Sequence, residues 1–252
     1  MIEHTESDSS RSSGVVTSRS TWQPLAAPAP TPERTAVIAD VASVVIKLGS
    51  RRLRIAVDGL TASGKSTFGH ELAEEIGRAG RQVLRASLDD FKRPWSEAHL
   101  YDRISAEGYY RNAFDYERSR RLLLMPAAPD GSGNVALCSI DPLTQVDHSA
   151  TTVAMTADGV LVVDGVFAFR PELEDYWDLR IWLDIDPDLS IARGTLRDAS
   201  IEGSEDAAEQ LHRSRYLPAE RIYVAACDPI SRADIVIDNR NFEHPCLIRA
   251  PD

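Results

Sequence analysis

Apolar and polar positions alternate in blocks along most of the chain, and these blocks predict alternating strands and helices. The apolar runs in RLRIAVDG, RQVLRASLDD, GVLVVDG, DLRIWLDID and ADIVIDN are typical of strands, and GVLVVDG is apolar enough to be covered on both faces. The segments FGHELAEEIGRAG, LSIARGTLRDA and EDAAEQLHRSRYLPAERIYVAAC have apolar residues at helical spacing. The alternation favours an α/β fold, with a mainly parallel sheet and helices on both faces.

The N-terminal region changes character at about residue 32. Residues 1–32 are rich in Ser and then in Ala and Pro, which predicts a disordered tail, and Trp22 is its one large apolar side chain suited to docking. The next segment, TPERTAVIADVASVVIKLG, predicts a helix with Thr31 as its N-cap, Pro32 at its first position and Gly49 as its end. Residues 33–252 are therefore expected to form one folded domain.

The middle of the chain has weaker patterns. The stretch FKRPWSEAHLYDRISAEGYYRNAFD is polar and aromatic, which indicates irregular structure, and YERSRRLLLMP predicts a helix ended by Pro126. VALCSID and TTVAMTA are short apolar segments that indicate further strands.

Composition narrows the classes of partner. The chain has 252 residues, a net charge of −11 and 43% hydrophobic residues, as expected of a soluble globular domain that favours neither nucleic acid nor an anionic membrane. The three cysteines, Cys138, Cys227 and Cys246, lie far apart and form no disulfide framework or metal-ligand spacing. With no bilayer-length apolar run and no apolar leader, the expected location is cytoplasmic.

The stretch GLTASGKST follows directly on the first apolar strand and matches the pattern G-x-x-x-x-G-K-[ST]. Its glycines let backbone N–H groups turn inward, and these groups with the following helix N-terminus form an anion site for a triphosphate. Lys65 would reach the β- and γ-phosphates, and the Ser66 hydroxyl would bind Mg²⁺. The pattern thus predicts a P-loop fold with ATP and Mg²⁺ as ligands. The predicted ATP-binding residues are Gly59, Leu60, Thr61, Ala62, Ser63, Gly64, Lys65, Ser66 and Thr67.

Three acidic positions follow predicted strands. Asp89 and Asp90 lie at the carboxyl end of the second strand, where a carboxylate can accept the proton of an attacking hydroxyl or hold the metal. Asp164 ends GVLVVDG, which is the position of a second Mg²⁺ ligand beside Ser66. Asp58 directly precedes the loop and is expected to order it.

Arginines are the remaining candidates for chemistry. Arg193 and Arg197 lie four residues apart on one helix face, so they predict a basic helical lid that stabilises charge on the transferred phosphoryl group. Each of them taken alone is as well explained as a solvated surface residue.

Taken together, GLTASGKST, SLDDF, AFDYE, GVLVVDG, ARGTLRD and ADIVIDN resemble the uridine kinase-like nucleoside kinases, over about residues 53–239. The resemblance implies a P-loop three-layer α/β sandwich that transfers the γ-phosphoryl group of ATP to a nucleoside hydroxyl, with uridine or cytidine first. It implies that Asp89, in S-x-D-x-F, is the catalytic base, that Lys65, Arg193 and Arg197 are catalytic, and that Phe114 and Asp115 lie near the ribose. Because relatives are often dimers or tetramers, a homo-oligomer is a further expectation.

The acceptor half of the site departs from the family. Where uridine kinases read the base with Tyr and His in a motif like Y-D-F-x-x-H-S, this chain has IDPLTQVD, which retains Asp141 but places Ile140 and Gln145 at the two readers. The acceptor therefore stays open, and another small alcohol is the alternative. Two further alternatives are a nucleotide-dependent switch or ATPase and a binding module with an inactive site.

Overall fold

A computed structural model of the chain describes residues 14–22, 29–97 and 100–251. Its main sheet has seven strands in the order β1-β3-β6-β2-β7-β8-β9. Six strands run parallel, and only β9 pairs antiparallel, with β8. These strands are β1 (Val15–Thr17), β2 (Leu53–Gly59), β3 (Val83–Ser87), β6 (Val160–Asp164), β7 (Leu179–Asp184), β8 (Ile235–Asp238) and β9 (Cys246–Arg249), while β4 (Asn134–Val135) and β5 (Val153–Ala154) form a separate pair.

Helices cover both faces of the sheet. The helical segments are α1 (Pro32–Lys47), α2 (Lys65–Arg78), α3 (Ala106–Asn112), α4 (Tyr116–Arg118) with the π-helical turn Ser119–Leu124, α5 (Pro187–Glu202), α6 (Glu205–Leu211) with the π-helical turn His212–Tyr216, α7 (Leu217–Cys227) and α8 (Pro229–Arg232). One buried cluster joins α1 and α2 to one face of the sheet. A second cluster joins α3, α4 and α7 to the other face. This three-layer α/β arrangement confirms the predicted fold class.

Alternation along the central strands explains why both faces are covered. On β2, Leu53, Ile55 and Val57 belong to the cluster beneath α1 and α2, whereas Ala56 belongs to the opposite cluster. These apolar side chains are all fully buried, so the central strand is covered on both faces, while its two charged residues are the half-buried Arg54 and the buried Asp58. Within the described residues no helix is long and apolar enough to cross a bilayer.

Three predictions of local structure were wrong. Within the tail expected to be disordered, residues 14–22 are described, and Val15–Thr17 forms β1 against the edge of β3 because Val15 and Val16 pack on the two hydrophobic clusters. Residues 1–13 and 23–28 of that tail lie outside the described residues. The stretch expected to be irregular contains α3, which buries Tyr109 and Tyr110. The expected strand VALCSID is buried, yet only Val135 of it pairs as a strand residue.

Helix α1 begins as predicted. The side chain of Thr31 accepts a hydrogen bond from the backbone N–H of Arg34, Pro32 occupies the first helical position, and Gly49 follows the last turn with a φ of 107°. The helix places Arg34 fully buried, where its guanidinium donates to the carboxylate of Glu71 on α2 and to Oδ1 of Asn239.

Candidate active site

The loop GLTASGKST lies between the central strand β2 and the N-terminus of α2. Gly59 has a φ of 152°, and a Cβ there would lie 2.5 Å from the carbonyl oxygen of Leu183 on the neighbouring strand. Gly64 has a φ of 93°, and a Cβ there would lie 2.8 Å from the side-chain nitrogen of Asn239. Both positions therefore require glycine, and the backbone can turn its N–H groups inward as the sequence predicted.

Side chains from other elements hold the loop in this shape. The Asn239 amide donates to the carbonyl of Ser63 at 2.6 Å, and the Ser190 hydroxyl donates to the carbonyl of Thr61 at 2.7 Å. The buried carboxylate of Glu220 accepts the backbone N–H of Thr61. Sequence reasoning missed Glu220 and Ser190. An acidic residue at a buried position of a helix, such as Glu220, indicates that a hydrogen-bond donor lies buried beside it.

Asp58 orders the start of the loop from beneath. Its carboxylate is fully buried and accepts hydrogen bonds from the N–H of Gly59 at 2.7 Å, the N–H of Ala168 at 2.8 Å and the hydroxyl of Tyr223 at 2.6 Å. Burial raises the pKa of Asp58 to about 6, against the lowering effect of these hydrogen bonds and of Lys65. Asp58 is thus placed to order the loop, as expected.

Lys65 lies at the first position of α2 and is almost fully buried. Its ammonium group donates to the carbonyls of Gly59 at 3.0 Å and Leu60 at 2.7 Å. Burial lowers the pKa of Lys65, opposed by the carboxylates of Asp58, Glu220 and Asp164. A cation held within the loop in this way can neutralise phosphate charge.

Ser66 and Asp164 meet at the mouth of the loop. The Ser66 hydroxyl donates to Oδ2 of Asp164 at 2.6 Å, because β6 lies directly beside β2 and ends at Asp164. The other oxygen of Asp164 accepts the Arg85 guanidinium at 2.6 Å. A hydroxyl and a carboxylate side by side are the hard oxygen donors that Mg²⁺ prefers, so the predicted pair fits the ion. Arg85 was not foreseen, although a charged residue inside a buried strand signals a buried partner.

Asp89 and Asp90 follow β3 in a short 3₁₀ turn and face different ways. Asp89 lines a cleft of about 790 Å³, here called the large cleft. It pairs with the Lys92 ammonium at 2.7 Å, and 27% of its side chain is exposed. Burial acts to raise the pKa of Asp89, but Lys92, with Lys65 and Arg197, holds it below its ordinary value, so the carboxylate is ionised. Asp90 is only 2% exposed and does not line the large cleft. This geometry favours Asp89 over Asp90 as the base.

The two predicted lid arginines both reach the cleft from α5. Arg193 donates to the carbonyls of Asn239 at 3.1 Å and Arg240 at 2.8 Å. Arg197 forms a two-bond pair with Asp198, at 2.7 and 2.8 Å.

A histidine that the sequence did not single out completes the Arg197 group. Nε2 of the buried His212 lies 2.9 Å from the second oxygen of Asp198. Burial acts to raise the pKa of Asp198, but Arg197 and His212 outweigh it and lower the pKa to about 2. Gly194 leaves room for the imidazole, since a Cβ there would lie 2.1 Å from the ring. Asp198 therefore fixes the direction of the Arg197 guanidinium.

The large cleft brings most of the predicted site together. Phe114 and Asp115, predicted near the ribose, are not among the described residues that line it. Phe114 is 2% exposed and stacks in the core against Tyr116, while Asp115 caps α4 by accepting the N–H of Arg118 at 3.0 Å. Their contact with a substrate is not supported, because core packing and helix capping occupy them. The cleft is lined by Thr61, Ala62, Gly64, Lys65, Ser66, Thr67, Asp89, Asp164, Arg193 and Arg197 of the predicted set.

The loop that differs from uridine kinases is held by local contacts. Ile140 is buried, and the amide nitrogen of Gln145 donates to the carbonyls of Asp141 and Pro142, both at 3.2 Å. The amide oxygen of Gln145 accepts the N–H of Trp95 at 2.8 Å. Ile140 has no polar side-chain group, and the amide of Gln145 is already hydrogen-bonded on both its nitrogen and its oxygen. Neither residue therefore offers a free polar group in place of the missing Tyr and His.

Fold and site together define a P-loop phosphotransferase. Residues 54–243 match the model of the phosphoribulokinase / uridine kinase family. The chain belongs to that family, and it is a phosphotransferase with an alcohol as acceptor. The resemblance inferred from the motifs is confirmed.

Individual relatives agree with this assignment. A uridine kinase of Deinococcus deserti is 28% identical over 200 residues, which cover 77% of this chain and 90% of that protein. The uridine-cytidine kinase 2-B of Danio rerio is 28% identical over 193 residues, 73% of this chain and 71% of that protein. The solved structure of a possible uridine kinase from Bacillus stearothermophilus superposes with a TM-score of 0.60 at 22% identity, over 79% and 96% of the two chains, and supports the fold.

Proposed function

We propose that this protein transfers the γ-phosphoryl group of ATP to a hydroxyl of a nucleoside, with uridine and cytidine as the first acceptors to test. The observation that carries the proposal is the placement of Asp89 in the same cleft as Lys65 and the arginines of α5. A carboxylate facing a phosphate loop across one cleft is suited to an acceptor hydroxyl between them.

Each residue has a role in this proposal. The backbone of residues 59–67 binds the triphosphate, and Lys65 neutralises its charge. Asp89 orients the acceptor hydroxyl and takes its proton. Arg193 and Arg197 close over the phosphates, stabilise the charge that develops in transfer and exclude water.

Mg²⁺ belongs to the same proposal. Ser66 and Asp164 would hold it, and it would supply neutralisation of phosphate charge. Arg85, on the remaining oxygen of Asp164, leaves Oδ2 as the carboxylate atom next to the hydroxyl of Ser66.

Another small alcohol is the second candidate acceptor, and the loop at residues 140–147 favours keeping it. Ile140 and Gln145 stand where uridine kinases have the two base readers. Ile140 is buried, and the amide nitrogen of Gln145 is hydrogen-bonded to the carbonyls of Asp141 and Pro142. The base, if one is bound, must be recognised by other residues.

The test is a panel of nucleosides, pantothenate and sugar phosphates, each supplied with ATP and Mg²⁺ while ADP and phosphorylated acceptor are measured. Turnover of uridine or cytidine supports the proposal. Turnover of a different compound alone contradicts the nucleoside assignment. ADP release that no acceptor stimulates would instead favour the switch or ATPase alternative.

A further inference from the structure

The N-terminal segment of residues 14–22, here named the strap, continues past its strand toward the cleft. Val15, Val16 and Thr17 pair with Val83, Leu84 and Arg85 of β3, and the N–H of Ser18 adds a hydrogen bond of 3.1 Å to the carbonyl of Arg85. This short strand pairing would be enough to cover the edge of the sheet. The next residues are nevertheless ordered, at a cost of about 1–2 kcal/mol of backbone entropy each, so other contacts must hold them.

Those contacts form a series that ends at Trp22. The N–H of Ser20 donates to the hydroxyl of Ser18 at 3.2 Å, and the N–H of Trp22 donates to the hydroxyl of Ser20 at 3.1 Å. Ser18 and Trp22 also line a small cavity together with the buried Asp90, the neighbour of the proposed base. The strap therefore lies beside the same turn that carries Asp89.

Thr21 fixes the strap to the loop at residues 140–147. Its N–H donates to Oδ2 of Asp141 at 2.6 Å, and its hydroxyl donates to Oδ1 at 2.9 Å. Oδ1 also accepts the N–H groups of Leu143 at 2.9 Å and Thr144 at 2.8 Å. The fully buried carboxylate of Asp141 is therefore occupied by backbone and strap, with no part turned to an acceptor.

Trp22 is placed where the acceptor and the phosphates would meet. It lines the large cleft together with Asp89, and with Pro142 and Leu143 of the neighbouring loop. It also lines a small cavity of about 40 Å³ that contains Ser66 and Asp164. Its half-buried indole is the one strap side chain among the described residues that borders the large cleft.

We propose that Trp22 is an acceptor-binding residue, which packs its indole face against the ring of the acceptor in place of the base-reading residues that this chain lacks. The inference rests on the proposed function for the identity of the acceptor as a nucleoside. Every base has a π-face, so an indole wall binds a planar ring through stacking and apolar contact without hydrogen-bond readout. Thr21 is a positioning residue that acts through the strap.

The experiment compares steady-state kinetics of four variants, Trp22→Ala, Trp22→Phe, Thr21→Val and Arg19→Ala, varying uridine, cytidine and ATP separately. Trp22→Ala is expected to raise the acceptor KM about tenfold or more and to leave the ATP KM within about twofold. Trp22→Phe should recover most of the affinity, because it restores an aromatic face. Thr21→Val should raise the acceptor KM by a smaller factor with kcat nearly unchanged.

Arg19→Ala is the matched control, since Arg19 is an exposed strap residue that does not line the cleft. Thermal unfolding of each variant shows that it is folded. An unchanged acceptor KM in folded Trp22→Ala overturns the inference. If the wild-type protein uses a different alcohol of the panel and no nucleoside, the proposed function fails, and the effect of Trp22→Ala on the KM of that alcohol still decides whether the strap binds the acceptor.

Discussion

The guanidinium of Arg85 and the carboxylate of Asp164 form a buried ion pair, with Nη2 of Arg85 2.6 Å from Oδ1 of Asp164 and the two side chains only 6% and 4% exposed. Gly69 on α2 makes room for the pair, since a Cβ there would lie 2.7 Å from Nη2 of Arg85. The ion pair therefore fixes the orientation of the Asp164 carboxylate, whose second oxygen accepts the hydroxyl of Ser66.

Replacing Arg85 should cost more stability than removing the pair altogether. Arg85→Met leaves a buried carboxylate without its cation, so we expect the free energy of unfolding to fall by about 3–5 kcal/mol. The double variant Arg85→Met/Asp164→Asn should recover a large part of that loss. Urea unfolding of the wild type, both single variants and the double variant measures this; additive losses would contradict the coupling.

The alternation of strands and helices, the phosphate loop and its flanking acids could be predicted because each depends on local sequence. The run GVLVVDG is apolar enough to predict a buried strand. The loop GLTASGKST needs glycine at positions with positive φ between β2 and α2, so its pattern can be recognised in the sequence. Parallel pairing of β2 and β6 then places Asp164 at the same sheet edge as Ser66.

The remaining features depend on contacts between distant segments. Two valines are too few to predict a strand from the sequence alone. Val15 and Val16 form a strand because the edge of β3 is open to pairing, which only the fold shows. The bond between His212 and Asp198 requires the turn from α5 into α6. Phe114 shows the converse, because a motif position implied substrate contact while the surrounding aromatic rings place the side chain in the core.

Asp89→Asn is expected to remove phosphoryl transfer while retaining nucleotide binding. An amide cannot take the proton of the acceptor hydroxyl, so kcat should fall about 10²- to 10⁴-fold. The dissociation constant of a fluorescent ATP analogue should change little, because Asp89 is not part of the loop. Asp40→Asn is the matched control, because Asp40 is exposed on α1 and does not line the large cleft. Wild-type turnover by Asp89→Asn would refute the assignment of the base.

Asp198→Asn should reduce turnover through Arg197. The amide retains one acceptor atom of the two that hold Arg197 and His212, so the guanidinium loses its fixed direction. We expect kcat to fall on the order of 10- to 100-fold, with a smaller change in the acceptor KM. Glu209→Gln removes an exposed carboxylate paired with Arg213 and should leave both constants unchanged. Equal effects of the two substitutions would show that Asp198 does not position Arg197.

Asp90 should make stability depend on pH near neutrality. Burial raises the pKa of Asp90 from 3.8 to about 7, with Asp89 and Asp164 adding to the effect and the hydroxyls of Ser18 and Ser20 opposing it. Because the folded pKa lies above the unfolded one, the stabilisation is fully present below about pH 4 and is lost as the pH rises through about 7. Asp90→Asn stays neutral, so its unfolding free energy relative to the wild type should rise with pH, by on the order of 2–4 kcal/mol in total. Urea unfolding of both proteins at pH 5, 6, 7 and 8 measures the difference, and parallel pH dependences would show that Asp90 does not titrate in this range.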